Sequence, residues 1–195
     1  MRRVKTTEIF ERALSGDRVW MRAADGSRAP LPLGHPRVVG SFESRVLRLC
    51  SGPTIDVVCG PGRFVEWLAE RGTPALGVPA LQRDVFGQLP GGGRWHHVLV
   101  MDHNLGLGAN PVRLLRRVGE LLRPNGTAIV EFDSPGVALG VRAVRLETRD
   151  AASPWFPWAQ AGLDSAAELA ASAGLAVMST MSDDGRHLAV MGRAA

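Results

Sequence analysis

Two short segments of this sequence combine residue types that can hold or activate a ligand. Segment 56–62 reads DVVCGPG, follows an apolar run and precedes residues 63–71, which have helical spacing. Small residues in such a turn let the backbone approach a ligand closely, and the first N–H groups of a helix attract negative charge. The second segment, 102–104 (DHN), follows the apolar run 98–101. Its histidine titrates near neutrality and can accept a proton from a hydroxyl or an amine.

A third segment, 153–158 (SPWFPW), concentrates three aromatic residues. Because two prolines brace it, we expect a rigid loop before the last helix. Two interpretations remain open for Trp155, Phe156 and Trp158: an apolar lid over a small substrate, or a satellite core cluster that pins the loop.

The sequence disfavours two further kinds of site, a nucleophilic thiol and a bound metal. A thiol at a helix N-terminus, such as Cys59, can have a lowered pKa, but a small residue filling a tight turn is the favoured interpretation. No group of His, Cys, Asp and Glu residues has the spacing of metal ligands, so we expect no metal.

The elements that must position these segments alternate between strands and helices. Short apolar strands are predicted at 54–58, 75–78, 95–102 and 127–133, with helices at 63–71 and 110–123 between them. This alternation is typical of an α/β fold with a doubly wound, mostly parallel sheet. A further strand is predicted at 142–149, a helix at 164–173, and a closing antiparallel pair at 176–182 and 186–193.

The first part of the chain follows a different pattern. Residues 6–14 and 42–49 have helical spacing, and Asp25-Gly26 in segment 18–33 predicts a hairpin outside the main sheet. We therefore divide the chain into an N-terminal helical and hairpin extension, 1–49, and an α/β domain, 50–195.

Five segments in order resemble class I S-adenosylmethionine-dependent methyltransferases. Segment 56–62 resembles the first glycine motif of that family, 84–90 (DVFGQLP) its acidic turn at the adenine, and 97–102 its fourth strand. Segments 114–126 and 130–133 are similar to the helix, turn and fifth strand that follow. The resemblance implies a Rossmann-like sheet and S-adenosylmethionine as cofactor, with these cofactor-binding residues: Asp56, Cys59, Gly60, Pro61, Gly62, Asp84, Val85 and Met101. It also implies that His103 or Asp102 acts as a general base and that Asn104 contacts the substrate.

Two positions depart from the family pattern. Val58 stands where the family has its first glycine, and Pro79 stands where an acidic residue normally binds the ribose hydroxyls. Parallel neighbours need a crossover of about a dozen residues, yet the next strand pattern begins at Leu81. We therefore expect a missing crossover helix. One strand is lost, or 75–86 forms one bent segment, or a second copy of the chain in a homo-oligomer completes the edge.

Charge and hydropathy narrow the function classes. The chain has 195 residues and a formal net charge of +4; 22 of its 23 basic residues are arginine, and they form no concentrated stripe. We therefore expect no nucleic-acid partner. Because no apolar run is long enough to span a bilayer and two cysteines make no disulfide framework, we expect no membrane partner and a cytoplasmic location.

These observations lead to two functional hypotheses. The first is methyl transfer from S-adenosylmethionine to a small-molecule substrate, and Gly60, Gly62 and Asp84 favour it. The second is a methyltransferase-fold protein that has lost methyl transfer and serves as a cofactor-independent cyclase or isomerase, a ligand-binding protein or an assembly subunit. Val58 and Pro79 favour the second.

Overall fold

The structure is a computed structural model that describes residues 1–31, 38–79 and 83–194. Its strands form two six-stranded sheets. In chain order the elements are β1 (Arg2–Arg3), α1 (Thr6–Leu14), β2 (Trp20–Ala23), β3 (Arg28–Pro30), α2 (Ser41–Leu47), β4 (Thr54–Asp56), α3 (Arg63–Ala69), β5 (Ala75–Gly77), β6 (Trp95–Val100), α4 (Pro111–Leu121), β7 (Leu122–Phe132), β8 (Gly140–Glu147), β9 (Ala151–Ala152), β10 (Phe156–Gln160), α5 (Ala166–Ser172), β11 (Leu175–Asp183) and β12 (Arg186–Arg193).

The main sheet confirms the predicted α/β architecture. Its strand order is β11-β12-β7-β6-β4-β5, in which β5, β4, β6 and β7 are mutually parallel. The closing pair is antiparallel as predicted, since β12 runs antiparallel to β7 and β11 runs antiparallel to β12.

Strand β6 shows why helices cover both faces of this sheet. Successive side chains of a strand point to opposite faces. Val98 and Val100 belong to the core on the side of α4 and α5, whereas Leu99 and Met101 belong to the core on the side of α2 and α3. A strand that is apolar on both faces is stable only when both faces are covered, as they are in a doubly wound fold.

The sheet edge at β5 is short. In the described residues β5 pairs with β4 alone, and segment 83–94 contains neither a strand nor a helix. No crossover helix follows β5 in the described residues, as predicted, and the choice between a lost strand and one bent segment over 75–86 stays a prediction. The predicted strand start at Leu81 lies outside the described residues. Coverage of this edge by a second copy of the chain stays a prediction.

The second sheet, called the cap sheet below, has β8 at its centre. The predicted hairpin is confirmed: β2 and β3 are antiparallel, and the turn between them contains Gly26 with a φ of +91°. Strand β2 also pairs with β8, so residues on both sides of the proposed boundary at residue 49 share one sheet. The two-part division stays a prediction.

The prediction of an irregular loop at 153–158 is wrong in its second half. Phe156 begins strand β10, which pairs antiparallel with β8. Pro157 is compatible with this pairing because, among the residues that the structure describes, β10 pairs with β8 alone, and proline is tolerated in edge strands.

None of the helices in the described ranges is both long and apolar enough to cross a membrane.

Candidate functional site

The glycine turn has the backbone that its sequence predicts. Strand β4 ends at Asp56, and the chain then turns through Gly60 (φ +53°) and Gly62 (φ +91°) into helix α3. These left-handed conformations favour glycine, because a Cβ would crowd the backbone there. Val58 is not among the residues with positive φ, so the turn accommodates its branched side chain without strain.

Asp56 and Cys59 are buried at this turn. Asp56 is buried, and its Oδ1 accepts a hydrogen bond from the backbone N–H of Val58 at 3.3 Å. Burial, with the nearby charge of Asp102, raises the pKa of Asp56 to about 7. Burial likewise raises the pKa of Cys59 to about 11, so its thiol remains protonated and is a poor nucleophile.

A cavity of about 250 Å³, called the central cavity below, lies between the main sheet and the cap sheet. The glycine turn contributes Val58, Gly60 and Pro61 to its wall. The ends of β6 and β7 contribute polar groups, and α1 and the cap sheet contribute apolar ones. These other lining residues include Asp102, His103, Asn104, Asp133, Phe10, Met21, Pro30, Arg142, Phe156 and Trp158.

The structure therefore brings together only part of the predicted substrate-binding set. Asn104, Phe156 and Trp158 line the central cavity. Trp155 is not among the lining residues; it is 43% exposed, and the Arg145 guanidinium lies 4.8 Å from its ring centre. Met101, predicted to contact the cofactor, is buried in the core against α2 and α3.

His103 and Asp133 form a polar pair in the cavity wall. The His103 Nδ1 lies 3.4 Å from Asp133 Oδ1, and the backbone N–H of Ala161 donates a hydrogen bond to Asp133 Oδ2 at 3.0 Å. The hydrogen bond with Asp133 raises the pKa of His103, although burial opposes it. Sequence analysis missed Asp133, even though it follows β7 directly and the carboxyl ends of neighbouring parallel strands lie at one edge.

Both residues at the end of β6 have an unusual backbone. Asp102 and His103 have φ values of +57° and +58°. Left-handed conformations outside glycine cost about 1–3 kcal/mol each and persist only where the surroundings hold them. The surroundings here include Glu131, which accepts a hydrogen bond from the Asp102 backbone N–H at 2.5 Å.

Glu131 belongs to a partly buried group of charges, called the charge cluster below, formed by Glu43, Arg63, Asp102, Glu131 and Arg186. Arg186 donates to both Glu131 carboxylate oxygens at 2.7 and 2.6 Å. The Nη2 atom of Arg63 lies 2.8 Å from Glu43 Oε1 and 2.7 Å from Asp102 Oδ1. The cluster therefore holds three carboxylates against two arginines, an excess of one negative charge.

The charge cluster affects how the site residues can act. Because Arg63 and Arg186 both contact the Asp102 carboxylate, that group is already paired and is a weaker candidate base than His103. Sequence analysis missed the cluster as a unit, since its members are far apart in the chain. Sequence position places two of its members near the site: Arg63, directly after the glycine turn, and Asp102, directly after the strand that becomes β6.

The predicted adenine-contacting residues line a second cavity of about 340 Å³, called the edge cavity below. Asp84 and Val85 form part of its wall, and Asp84 Oδ1 accepts a hydrogen bond from the Phe86 backbone N–H at 3.0 Å. Val57 lines the edge cavity and Val58 the central cavity, so the end of β4 contributes to both.

Comparison with solved structures identifies the architecture. A SAM-dependent methyltransferase from Bacteroides fragilis, in complex with S-adenosyl-L-homocysteine, superposes with a TM-score of 0.74 at 17% identity, over 97% of this chain and 93% of that chain. This protein has the class I methyltransferase fold. The CcbJ methyltransferase from Streptomyces caelestis gives a TM-score of 0.59 at 18% identity, over 77% and 87% of the two chains.

A third methyltransferase structure is similar over a smaller part of the chain. The 1,6-didemethyltoxoflavin-N1-methyltransferase from Burkholderia thailandensis gives a TM-score of 0.56 at 16% identity, over 73% of this chain and 71% of that chain. By sequence, neither a family model nor a curated protein matches.

The residues that the sequence assigns to the cofactor leave room for it at both of its expected ends. At the expected methionine end, Gly62 has a left-handed backbone and no heavy atom within 4 Å of where a Cβ would stand. At the expected adenine end, Asp84 lies in the wall of the edge cavity. At the expected ribose position, Pro79 has no side-chain atom that could accept a hydrogen bond from a ribose hydroxyl.

Proposed function

We propose that this protein transfers a methyl group from S-adenosylmethionine to a small molecule bound in the central cavity. One observation carries the proposal: the glycine turn and the His103–Asp133 pair open onto the same cavity. A methyl donor at the turn and an acceptor beside His103 are then neighbours. Holding two reactants in line accounts for much of the catalysis of a bimolecular transfer.

The cofactor would lie across the end of β4, between the two cavities. Gly60 and Pro61 would contact its methionine part, and Asp84 and Val85 its adenine. When bound, S-adenosylmethionine supplies an electrophilic methyl group on a positively charged sulfur. The negative excess of the charge cluster favours a positive charge at this end of the sheet.

His103 is the residue best placed to accept a proton from the acceptor's hydroxyl or amine. Asp133 orients the imidazole through Nδ1, which leaves Nε2 as the basic nitrogen. Only a neutral imidazole can accept this proton, and the pKa of His103 is raised by its hydrogen bond with Asp133. The rate of transfer is therefore expected to increase as the pH rises through that pKa.

The volume and lining of the central cavity favour a small substrate. Ligand pockets commonly measure about 300–1,000 Å³, and this cavity of about 250 Å³ is slightly smaller than that range. Its apolar wall comes from α1 and the cap sheet. The Burkholderia thailandensis neighbour holds 1,6-didemethyltoxoflavin together with S-adenosylhomocysteine, and this supports a small-molecule acceptor here.

Calorimetric titration with S-adenosylmethionine and S-adenosylhomocysteine tests the proposal directly. We expect micromolar binding by the unaltered protein. Val58→Gly should strengthen binding severalfold, because it removes a side chain from the cavity wall at the place where the backbone approaches the cofactor. Val177→Gly is the matched control, since Val177 is also a half-buried valine but lies in β11.

The competing hypothesis of a fold that has lost methyl transfer makes a different prediction. Val58 in the cavity wall and Pro79 at the ribose position are the observations that favour it. It predicts no heat at millimolar ligand for the unaltered protein, and that result would overturn methyl transfer. Recovery of binding in Val58→Gly alone would then identify Val58 as the residue that abolished it.

A further inference from the structure

The inner face of the cap sheet carries one charged residue among apolar ones. In the antiparallel register of β10 and β8, Trp158 lies opposite Arg142 and Phe156 lies opposite Val144. Directly opposed residues share one face of a sheet. Arg142 therefore lies on the same face as the two aromatic residues that line the central cavity, and it lines that cavity too.

The next residues on this face confirm its apolar character. Val144 and Leu146 follow Arg142 at intervals of two along β8 and are buried, and Met21 of β2 lies opposite Leu146. The alternate face carries a group of charged residues: Arg22 and Arg145 both donate hydrogen bonds to Glu147. Arg142 is thus a cation on the side of the sheet that faces the ligand space.

Arg142 has no carboxylate partner in the described ranges of the chain. The other arginines of the central cavity wall and of the cap sheet's charged face do have partners, as Arg63 has Glu43 and Arg22 has Glu147. Segments 32–37 and 80–82 contain no Asp or Glu residue, so they offer no side-chain carboxylate either. Arg142 is nevertheless close to the His103–Asp133 pair. Burial raises the pKa of Asp133, but interactions that include the hydrogen bond from His103 and the charge of Arg142 outweigh it and lower that pKa.

We propose that Arg142 binds a carboxylate of the substrate, so that the central cavity selects small, mainly apolar carboxylic acids over their neutral analogues. The guanidinium forks onto a carboxylate with two parallel hydrogen bonds, which gives orientation as well as affinity. The acid group would lie at Arg142, the apolar body against Phe156 and Trp158, and the nucleophile at His103. This inference rests on the proposed function only in placing the methyl acceptor in this cavity.

A carboxylate fits this position better than a phosphate does. Among the described residues only one unpaired arginine lines the cavity, and Asp133 and the negative excess of the charge cluster lie nearby. A dianionic phosphate would be repelled by these carboxylates more strongly than a monoanion would. The cavity of about 250 Å³ is also small for a phosphorylated ligand with an apolar body.

Matched acid and amide pairs test the proposal. The probes are 4-hydroxybenzoate with 4-hydroxybenzamide, and indole-3-acetate with indole-3-acetamide, each titrated calorimetrically in the presence of S-adenosylhomocysteine. We expect at least one acid to bind the unaltered protein about tenfold more tightly than its amide. A buried ion pair would give a larger preference, but Arg142 is exposed.

Variants locate the source of this preference. Arg142→Gln should bring each acid to within about twofold of its amide while amide binding and the melting temperature stay unchanged; Arg142→Lys should retain part of the preference. Arg123→Gln is the matched control, because Arg123 is exposed and lies in β7 away from the cavity lining. It should leave the preference intact.

The outcomes separate this inference from the proposed function. If neither acid binds more tightly than its amide, or if the preference survives in Arg142→Gln, the role of Arg142 is refuted. If S-adenosylhomocysteine fails to bind but the acid preference persists and depends on Arg142, methyl transfer fails and the carboxylate site stands. If S-adenosylhomocysteine binds and acids have no advantage, the reverse holds.

Discussion

Removal of Arg186 should destabilise this protein far more than removal of an exposed arginine. The Glu131 side chain is 0% exposed, and both of its carboxylate oxygens accept hydrogen bonds from Arg186. Arg186→Met would leave three carboxylates against Arg63 alone. Loss of one partner of a buried ion pair costs about 3–5 kcal/mol, because the remaining charge is desolvated without compensation. The lower value, about 3 kcal/mol, applies here because Arg186 itself retains 23% exposure.

Thermal and urea unfolding of purified variants measures this effect. For a chain of this length, about 3 kcal/mol corresponds to a fall in melting temperature of roughly 6–12 °C. Arg45→Met is the matched control: Arg45 also pairs with a carboxylate, that of Asp183, but about half of each side chain is exposed. Exposed pairs contribute about 0–1 kcal/mol, so this variant should unfold close to the unaltered protein.

A second variant shows whether the uncompensated charge is the cause. Glu131→Gln in the Arg186→Met background removes the charge left without a partner, and should recover about 1–2 kcal/mol. The reasoning is refuted if Arg186→Met costs less than 1 kcal/mol. It is equally refuted if the two substitutions add without recovery, since packing and not charge would then account for the loss.

Three further predictions concern the turn, the polar pair and the cap. Asp56→Asn should raise the free energy of unfolding at pH 8 by up to about 4 kcal/mol and change it little at pH 4. The reason is that the folded pKa of Asp56, about 7, lies above its ordinary value of 3.8, so ionisation of Asp56 lowers stability as the pH rises between these two values. Urea unfolding at both pH values measures this, and equal effects at the two would contradict it. The raised pKa of His103 means that its protonation stabilises the fold fully below about pH 6.5, and that this contribution is lost as the pH rises through the folded pKa. Asp133→Asn should lower that pKa in an NMR titration of the imidazole, and an unchanged titration would exclude the pairing. Gly106→Ala should lower the free energy of unfolding by about 3 kcal/mol or more, because the new Cβ would overlap the Trp158 indole and lie 2.5 Å from the Ala159 carbonyl oxygen. Gly174→Ala is the control, because Gly174 has open space around its Cβ position, although its φ is +76°. Equal melting temperatures for the two variants would refute the close packing of the cap sheet at Gly106.

The sequence by itself determined the order of the elements and the turn that ends β4. Strand and helix periods are local patterns, and Gly60 and Gly62 mark a conformation that few other residues adopt. The shortened edge after β5 also followed from the spacing of the strand patterns, since too few residues separate Val78 from Leu81 for a crossover helix.

The aromatic segment shows where local patterns became ambiguous. Its prolines indicated a loop, yet Phe156 and Trp158 alternate along strand β10 because β8 is available as a partner. Strand pairing is a property of two segments, and a single segment does not specify it. The exposed position of Trp155 has the same origin, since it lies one residue before the paired region begins.

Only the tertiary structure decided which charges surround the site. Glu43, Glu131 and Arg186 lie in a helix and two strands that are separated by most of the chain, and Asp133 meets His103 only because β6 and β7 are neighbours. The physical reason is that the free energy of a charge depends on its burial and on its partners, and both are set by how the elements pack. Residue types near the glycine turn identified the place of the chemistry, and packing determined which residues there are paired, which are free and which can accept a proton.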